Sequence, residues 1–369
     1  MDFNLSENTI MIADTAKRYL KDQYSFDIYR NVIARSNHLE SSRWQMMQEL
    51  GWFGLPFSEV AGGYGGDLID VAMIVSEMGA SLCLDPYVDM VVAPGKLLES
   101  VDSEPARQLL ASIIDGKSAV ACGFYDIHSG YDALSPSLVI EGNRLSGQKS
   151  FVPDGGFAQS VLVTARRGKE LALVHVRLSN CEVDSHRALD GSRMSSIVFD
   201  DVMLDDDAII ACGAEAESAA TQTLAWLQAL DCARMYGAAR ALYEKTLDYA
   251  KTRKQFAVHI GSFQVIQHYL VDMFIDLQQL ESMLLMVSIK AASGDAAERD
   301  RACAAAKAYF ADKAVRIAQQ AIQIHGGVGV TEELDVGHYF RLITHCSLSH
   351  GAGDIQVERF AALSEAAHG

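Results

Sequence analysis

The chain has 369 residues, with 48 acidic side chains against 31 basic and a formal net charge of −17. At roughly 150 residues per domain, this length predicts two or three domains. An apolar share of 49% with 21% charged residues excludes long-chain disorder and low-complexity architecture, and leaves a globular protein with a large core. The acidic excess argues against nucleic acid and against anionic membrane as partners, since both call for a Lys/Arg-rich face. No apolar run reaches the ~18 residues that a membrane span requires.

The first residues, MDFNLSENTI, carry acids and no basic segment, so neither a secretory signal nor an Arg-rich transit peptide is expected. The cysteines at 83, 122, 181, 212, 232, 303 and 346 are scattered and contain no CxxC pair. Such a set reads as reduced core thiols and a cytoplasmic protein.

Residues 1–118 read as a helical domain with loops at Pro56–Gly66 (PFSEVAGGYGG) and near Asp85-Pro86. Residues 119–215 change to short β-rich runs. Ser137–Ile140 and Arg144–Ser146 flank the turn Glu141-Gly142-Asn143, and Ser160–Ala165, Leu171–Val176 and Ile197–Leu204 are further strand candidates. Residues 216–369 are strongly helical. Phe263, Ile266, Leu270, Met273, Leu277, Leu280, Leu284 and Val287 keep a 3,4 spacing that puts them on one stripe, for a bundle core or a subunit interface. Phe310, Ala314, Ile317, Ala321 and Ile324 repeat the spacing up to Gly326-Gly327, a natural helix stop.

Motifs for common chemistries are missing: there is no P-loop, HExxH or GxSxG, and no metal-spaced His/Cys cluster. The most unusual string is Gln323-Ile324-His325-Gly326-Gly327-Val328-Gly329. Glycines at a helix end let a backbone approach a ligand, although a Gly-rich helix end by itself is also an ordinary C-cap.

Several landmarks recur in order: Leu50-Gly51-Trp52-Phe53-Gly54-Leu55, Gly62-Gly63-Tyr64-Gly65-Gly66, Ser76-Glu77-Met78-Gly79, Gly147-Gln148-Lys149, Leu230-Asp231 with Arg234, Arg253-Lys254-Gln255-Phe256, Phe263-Gln264 with Gln267, and the Gln323–Gly329 string. With the helical, β, helical order, they make the chain resemble the acyl-CoA dehydrogenase family over nearly its whole length. The resemblance implies an α+β fold with an N-terminal helical domain, a middle β-barrel-like domain and a C-terminal four-helix bundle. It also implies FAD as cofactor, a CoA thioester as substrate, a tetramer, and an electron-transfer flavoprotein as acceptor. By resemblance, Arg253, Gln255, Phe256, Gln323, Gly326 and Gly327 hold the pyrophosphate and adenosine of a neighbouring subunit's flavin, Phe151 stacks on a flavin ring, and Asp231 and Arg234 lie at the substrate site.

The chain also departs from the family pattern. Where the family carries Tyr-Glu-Gly-Thr, this sequence has Ser349-His350-Gly351-Ala352, so His350 stands at the catalytic glutamate's position. The alternative base position, one residue before Arg234, is Ala233. Pro153 replaces a flavin-facing threonine and has neither hydroxyl nor amide proton to offer. The expected function is therefore FAD-dependent α,β-desaturation of a bulky, steroid-derived acyl-CoA, by the partner subunit of a heteromeric α₂β₂ complex. Three alternatives stay open: a self-sufficient homotetramer with His350 as base, a same-fold flavoprotein performing non-redox thioester elimination, or a scaffold or regulatory protein that binds neither FAD nor CoA.

Overall fold

The structure is a computed structural model that describes residues 5–35, 40–292 and 294–366. The helices are α1 (Glu7–Gln23), α2 (Phe26–Ala34), α3 (Ser41–Glu49), α4 (Leu68–Ala80), α5 (Ala93–Glu99) and α6 (Glu104–Ile114) before the sheet, and α7 (Ala214–Thr252), α8 (Gln264–Ala291), α9 (Ala296–His325), α10 (Val336–Leu348) and α11 (Gly353–Ala366) after it. Strands β1 (Val120–Gly123), β2 (Val139–Glu141), β3 (Arg144–Pro153), β4 (Ser160–Arg167), β5 (Glu170–Arg177), β6 (Glu182–Arg187), β7 (Arg193–Met203) and β8 (Ile209–Cys212) lie between; β9 (Lys254–Gln255) and β10 (Val258–His259) form a small hairpin. Among the described residues, no helix is long and apolar enough to cross a membrane.

The chain divides into two compact units that do not follow chain order. One joins Met1–Ala34 and Leu68–Leu84 to Gln228–Gly369; the other holds Arg35–Asp67 and Asp85–Leu227. In the second, the sheet runs β6-β7-β3-β2-β4-β5-β8, with β1 parallel to β4. Its inward residues, among them Leu145, Val161, Val163, Val174, Ile197 and Phe199, form a continuous apolar core. The turn between β2 and β3 is Gly142-Asn143, one residue shorter than expected because Glu141 pairs with Arg144 as the last residue of β2, with Gly142 at φ 64°.

In the first unit, α9 packs against α8, α10 and α11. The predicted stripe on α8 is buried from Leu270 to Val287, and that on α9 from Phe310 to Ile324. The α4–α7 crossing is closer than side chains would allow. A Cβ at Gly79 would lie 2.2 Å from the carbonyl oxygen of Arg234, and one at Gly237 would lie 1.7 Å from that of Ser76. Two backbones thus touch where α7 carries Asp231 and Arg234, which fixes the height of both residues against α4. Changing Gly237 to Ala should cost more than about 2 kcal/mol through overpacking, read as a lowered urea midpoint.

Candidate functional site

His350 lies between α10 and α11 at φ 51°, a left-handed conformation that costs a non-glycine residue about 1 kcal/mol or more. Its carbonyl oxygen accepts from Gln228 Nε2 at 2.9 Å and Gln356 Nε2 at 3.1 Å. Both glutamine side chains are buried, so the strained turn is clamped from α7 and α11. The His350 imidazole is only 14% exposed, with Nδ1 3.0 Å from Asp231 Oδ2.

Asp231 has a second partner. Lys307 Nζ, wholly buried on α9, lies 2.6 Å from the same carboxylate oxygen and also donates to the carbonyl oxygen of Cys346 in the last turn of α10. That carbonyl belongs to the group that a helix C-terminus leaves without an intrahelical donor, where a cation is favoured. Burial would raise the Asp231 pKa, but the Lys307 ammonium and then His350 outweigh it and hold the carboxyl at about 2. Asp231, Lys307 and His350 are thereby joined by one carboxylate. Arg234, three residues on, instead donates from Nη2 to the Cys83 carbonyl oxygen at 3.0 Å. The i, i+3 ion pair that spacing suggests is not what α7 uses. Ala233 is wholly buried.

The second group of sequence-derived residues lies at the far end of α7. Arg253, Gln255 and Phe256 are exposed on the β9–β10 hairpin, Phe256 at 87%. The turn puts Phe256 at φ 53° and Ala257 at φ 65°, a type I′ geometry normally made with Asn-Gly. One helical turn before Arg253, the Tyr249 ring stacks on His325, the last residue of α9, at a centroid distance of 4.3 Å. This brings the C-terminal ends of α7 and α9 together. Gln323, Gly326 and Gly327 are exposed there. Gly326, at φ 65° and ψ −147°, holds a conformation nearly exclusive to glycine, and it also caps α9 by donating to the Ile322 carbonyl oxygen. A Cβ at Gly326 or Gly327 would meet nothing within 4 Å. The space there is open to a molecule from outside the chain, and the Arg253 guanidinium suits a pyrophosphate.

Phe151 belongs to the other unit. A register shift in β3 between Lys149 and Val152 turns Lys149 and Ser150 inward and leaves Phe151 58% exposed at φ 57°. Lys149 Nζ donates to the Phe124 carbonyl oxygen at 3.0 Å and to Thr164 Oγ1 at 3.1 Å. Burial lowers its pKa to about 8 despite the opposing Asp126 charge. Asp126 accepts from the amides of His128, Ser129 and Ser137, which closes the loop that follows β1. The fit to FAD is thus uneven. The hairpin and the α9 end offer an exposed guanidinium, an aromatic face and open glycine backbone, whereas β3 ends in Pro153 with no donor.

Lys307 was not singled out in the sequence, although a signal existed. It continues the α9 stripe backwards from Phe310 at the same 3,4 spacing, with Cys303 before it, and a lysine on an apolar stripe requires a buried anion. Among the described residues, no cluster of His, Cys, Asp or Glu could hold a metal.

Because Asp231 is depressed from 3.8 to about 2, its contribution to stability is complete above about pH 4 and is lost as pH falls toward 2. It amounts to roughly 2 kcal/mol, and pH-dependent denaturation of wild type and Asp231→Asn should differ in that window. Replacing Ala257 by Gly should stabilise the hairpin by about 1 kcal/mol by removing left-handed strain, seen as a raised thermal midpoint.

Comparison with known proteins matches the acyl-CoA dehydrogenase N-terminal domain to residues 6–116 and the C-terminal domain of the same family to residues 218–363. The chain is 27% identical over 376 residues to the probable acyl-CoA dehydrogenase YngJ of Bacillus subtilis, covering 96% of this chain and 97% of that protein. It superposes on the ChsE4-ChsE5 complex of Mycobacterium tuberculosis with a TM-score of 0.90 at 21% identity, covering 99% of each chain. A variant of the Tcur3481-Tcur3483 steroid ACAD gives a TM-score of 0.89 at 23% identity, covering 98% of this chain and 99% of that one. Two family domains matched in order, on the expected helical, sheet and helical architecture, establish that this chain belongs to the acyl-CoA dehydrogenase family, FAD-dependent oxidoreductases acting on the CH–CH bond of CoA thioesters.

Proposed function

We propose that this chain is a subunit of a heteromeric acyl-CoA dehydrogenase that desaturates a bulky, steroid-like CoA thioester, assembled as α₂β₂ with a related subunit carrying the usual carboxylate base. The observation that carries this reading is that neither family base position is acidic: one holds His350 and the other a buried Ala233. Supporting it, Arg253, Phe256, Gln323 and the open backbone at Gly326 and Gly327 are turned outward, as suits residues that serve a neighbour's cofactor. The likeness to a complex of two named chains and to a steroid ACAD supports both the assembly and the substrate class. FAD, when bound, supplies the acceptor for the β-hydride. Arg253 would hold its pyrophosphate, Gln255, Gln323 and Phe256 its adenosine, Phe151 would lie on a ring, and Arg234 with Asp231 would line the thioester site. An electron-transfer flavoprotein is the proposed electron acceptor, and the seven unbridged thiols suit a reducing cytoplasm.

A second reading, a self-sufficient homotetramer with His350 as base, is favoured by one specific contact. The imidazole is hydrogen-bonded through Nδ1 to a buried, anionic Asp231, which sets the tautomer in which Nε2 is the ring acceptor. Co-expression with a related acyl-CoA dehydrogenase subunit decides between them. The heteromeric reading expects a mixed tetramer, with little flavin or activity in the chain alone. A stable, flavin-replete, active homotetramer would overturn it. In that case bleaching of FAD absorbance by an acyl-CoA should disappear on changing His350 to Ala.

A further inference from the structure

The His350–Asp231–Lys307 cluster is more elaborate than a filler residue needs. A space-filling histidine would require neither a charged acceptor nor a lysine on the stripe of a neighbouring helix, and burying two charges is costly unless each is paired. Here one carboxylate oxygen is shared by an ammonium that is 0% exposed and an imidazole that is 14% exposed. The backbone of His350 is independently clamped by two buried glutamines. Both the position and the rotation of the ring are therefore specified.

We propose that Asp231 and Lys307 are a positioning pair for His350: Asp231 takes the Nδ1–H of the imidazole, which directs Nε2 to accept a proton from the α-carbon of a CoA thioester. This rests on the second reading above, in which His350 is the proton acceptor. Lys307 keeps Asp231 ionised and, by also binding the Cys346 carbonyl, fastens the last turn of α10 from which His350 emerges. In the step itself the Cα–H bond breaks and an Nε2–H bond forms. The electron pair left behind becomes the thioester enolate, and the imidazolium charge is stabilised by Asp231. The step requires a neutral imidazole: Lys307 and Asp231 cancel before transfer, and imidazolium and enolate cancel afterwards. Each state is charge-balanced, which a low-dielectric site favours. Return of the proton regenerates the thioester, so the step can be observed without any oxidation.

Two measurements on the full chain, with its partner subunit where one co-purifies, test this. Nitrogen-15 NMR of ring-labelled histidine, with the His350 signal assigned by its loss in His350→Gln, should report protonated Nδ1 and bare Nε2. In the double variant Asp231→Leu/Lys307→Met, which removes the pair together and leaves no lone buried charge, that tautomer preference should be lost. A wild-type signal with bare Nδ1, or one unaltered in the double variant, overturns the positioning role. The second measurement is wash-out of deuterium from the α-carbon of C2-deuterated hexanoyl-CoA in ordinary water. His350→Gln should reduce it by on the order of 100-fold. The double variant should fall comparably, and Asp231→Asn, which keeps an oxygen acceptor without charge, should fall between wild type and the double variant. Wash-out that is absent in wild type or undiminished in His350→Gln removes the proton-acceptor reading itself. Wash-out lost in His350→Gln but undiminished in the double variant removes only the role of Asp231 and Lys307.

Discussion

A lysine ammonium with no solvent exposure is tolerated only where an anion and further acceptors surround it, and the C-terminal part of this chain is arranged around one. Lys307 reaches from α9 to Asp231 on α7 and to the end of α10. Three helices are thereby fixed at one point, and the residue that follows α10 by one turn of loop is His350. Breaking the ion pair by removing one partner leaves a buried charge, a change usually worth 3–5 kcal/mol. This makes the pair a constraint on the fold as well as on the candidate chemistry. The identity of residue 350 cannot be considered apart from residues 231 and 307.

The long helix α7 changes character along its length. In its middle, the Asp231 carboxylate and Nη2 of Arg234 are bonded within the chain. At its C-terminal end, Arg253 and the hairpin project into solvent, with the open glycines of the α9 end beside them. A protein that used only its own residues would have little need for a solvent-facing phenylalanine at the tip of a strained turn. The outward surface is readily understood as one completed by another molecule, and the altered β3 residues, Phe151 and Pro153, as a departure confined to a different part of the chain.

Much of the fold was legible in the sequence because it follows from periodicity. The α8 and α9 stripes, the Gly326 stop and the hairpin turn at Gly142 all appear where spacing and turn chemistry put them. Short strands such as β1, β6 and β8 were not separable, since four to six residues carry too little pattern. The candidate site was legible only in part. His350 stood out against the family pattern, but its partner Asp231 is 119 residues away, Asp231 is joined in turn to Lys307 on another helix, and helical spacing says nothing about which helices meet. Asp231 and Arg234 illustrate this limit: three apart on α7, they suggested each other, whereas packing gave Asp231 a lysine and Arg234 a backbone carbonyl. The register shift that exposes Phe151 and buries Lys149 likewise arises from β3–β7 pairing and cannot be read from β3 alone.

The glycine crossing of α4 and α7 has a consequence for how such a protein diversifies. With the spacing at Gly79 and Gly237 set by one backbone against another, the height of Asp231 and Arg234 does not depend on the bulk of neighbouring side chains. Residues around the proposed thioester site can be exchanged for larger or smaller ones to admit a different acyl group, and the helix that carries the proposed polar anchors stays in register. Substrate range and anchor position are thereby separated into two sets of residues that can vary independently.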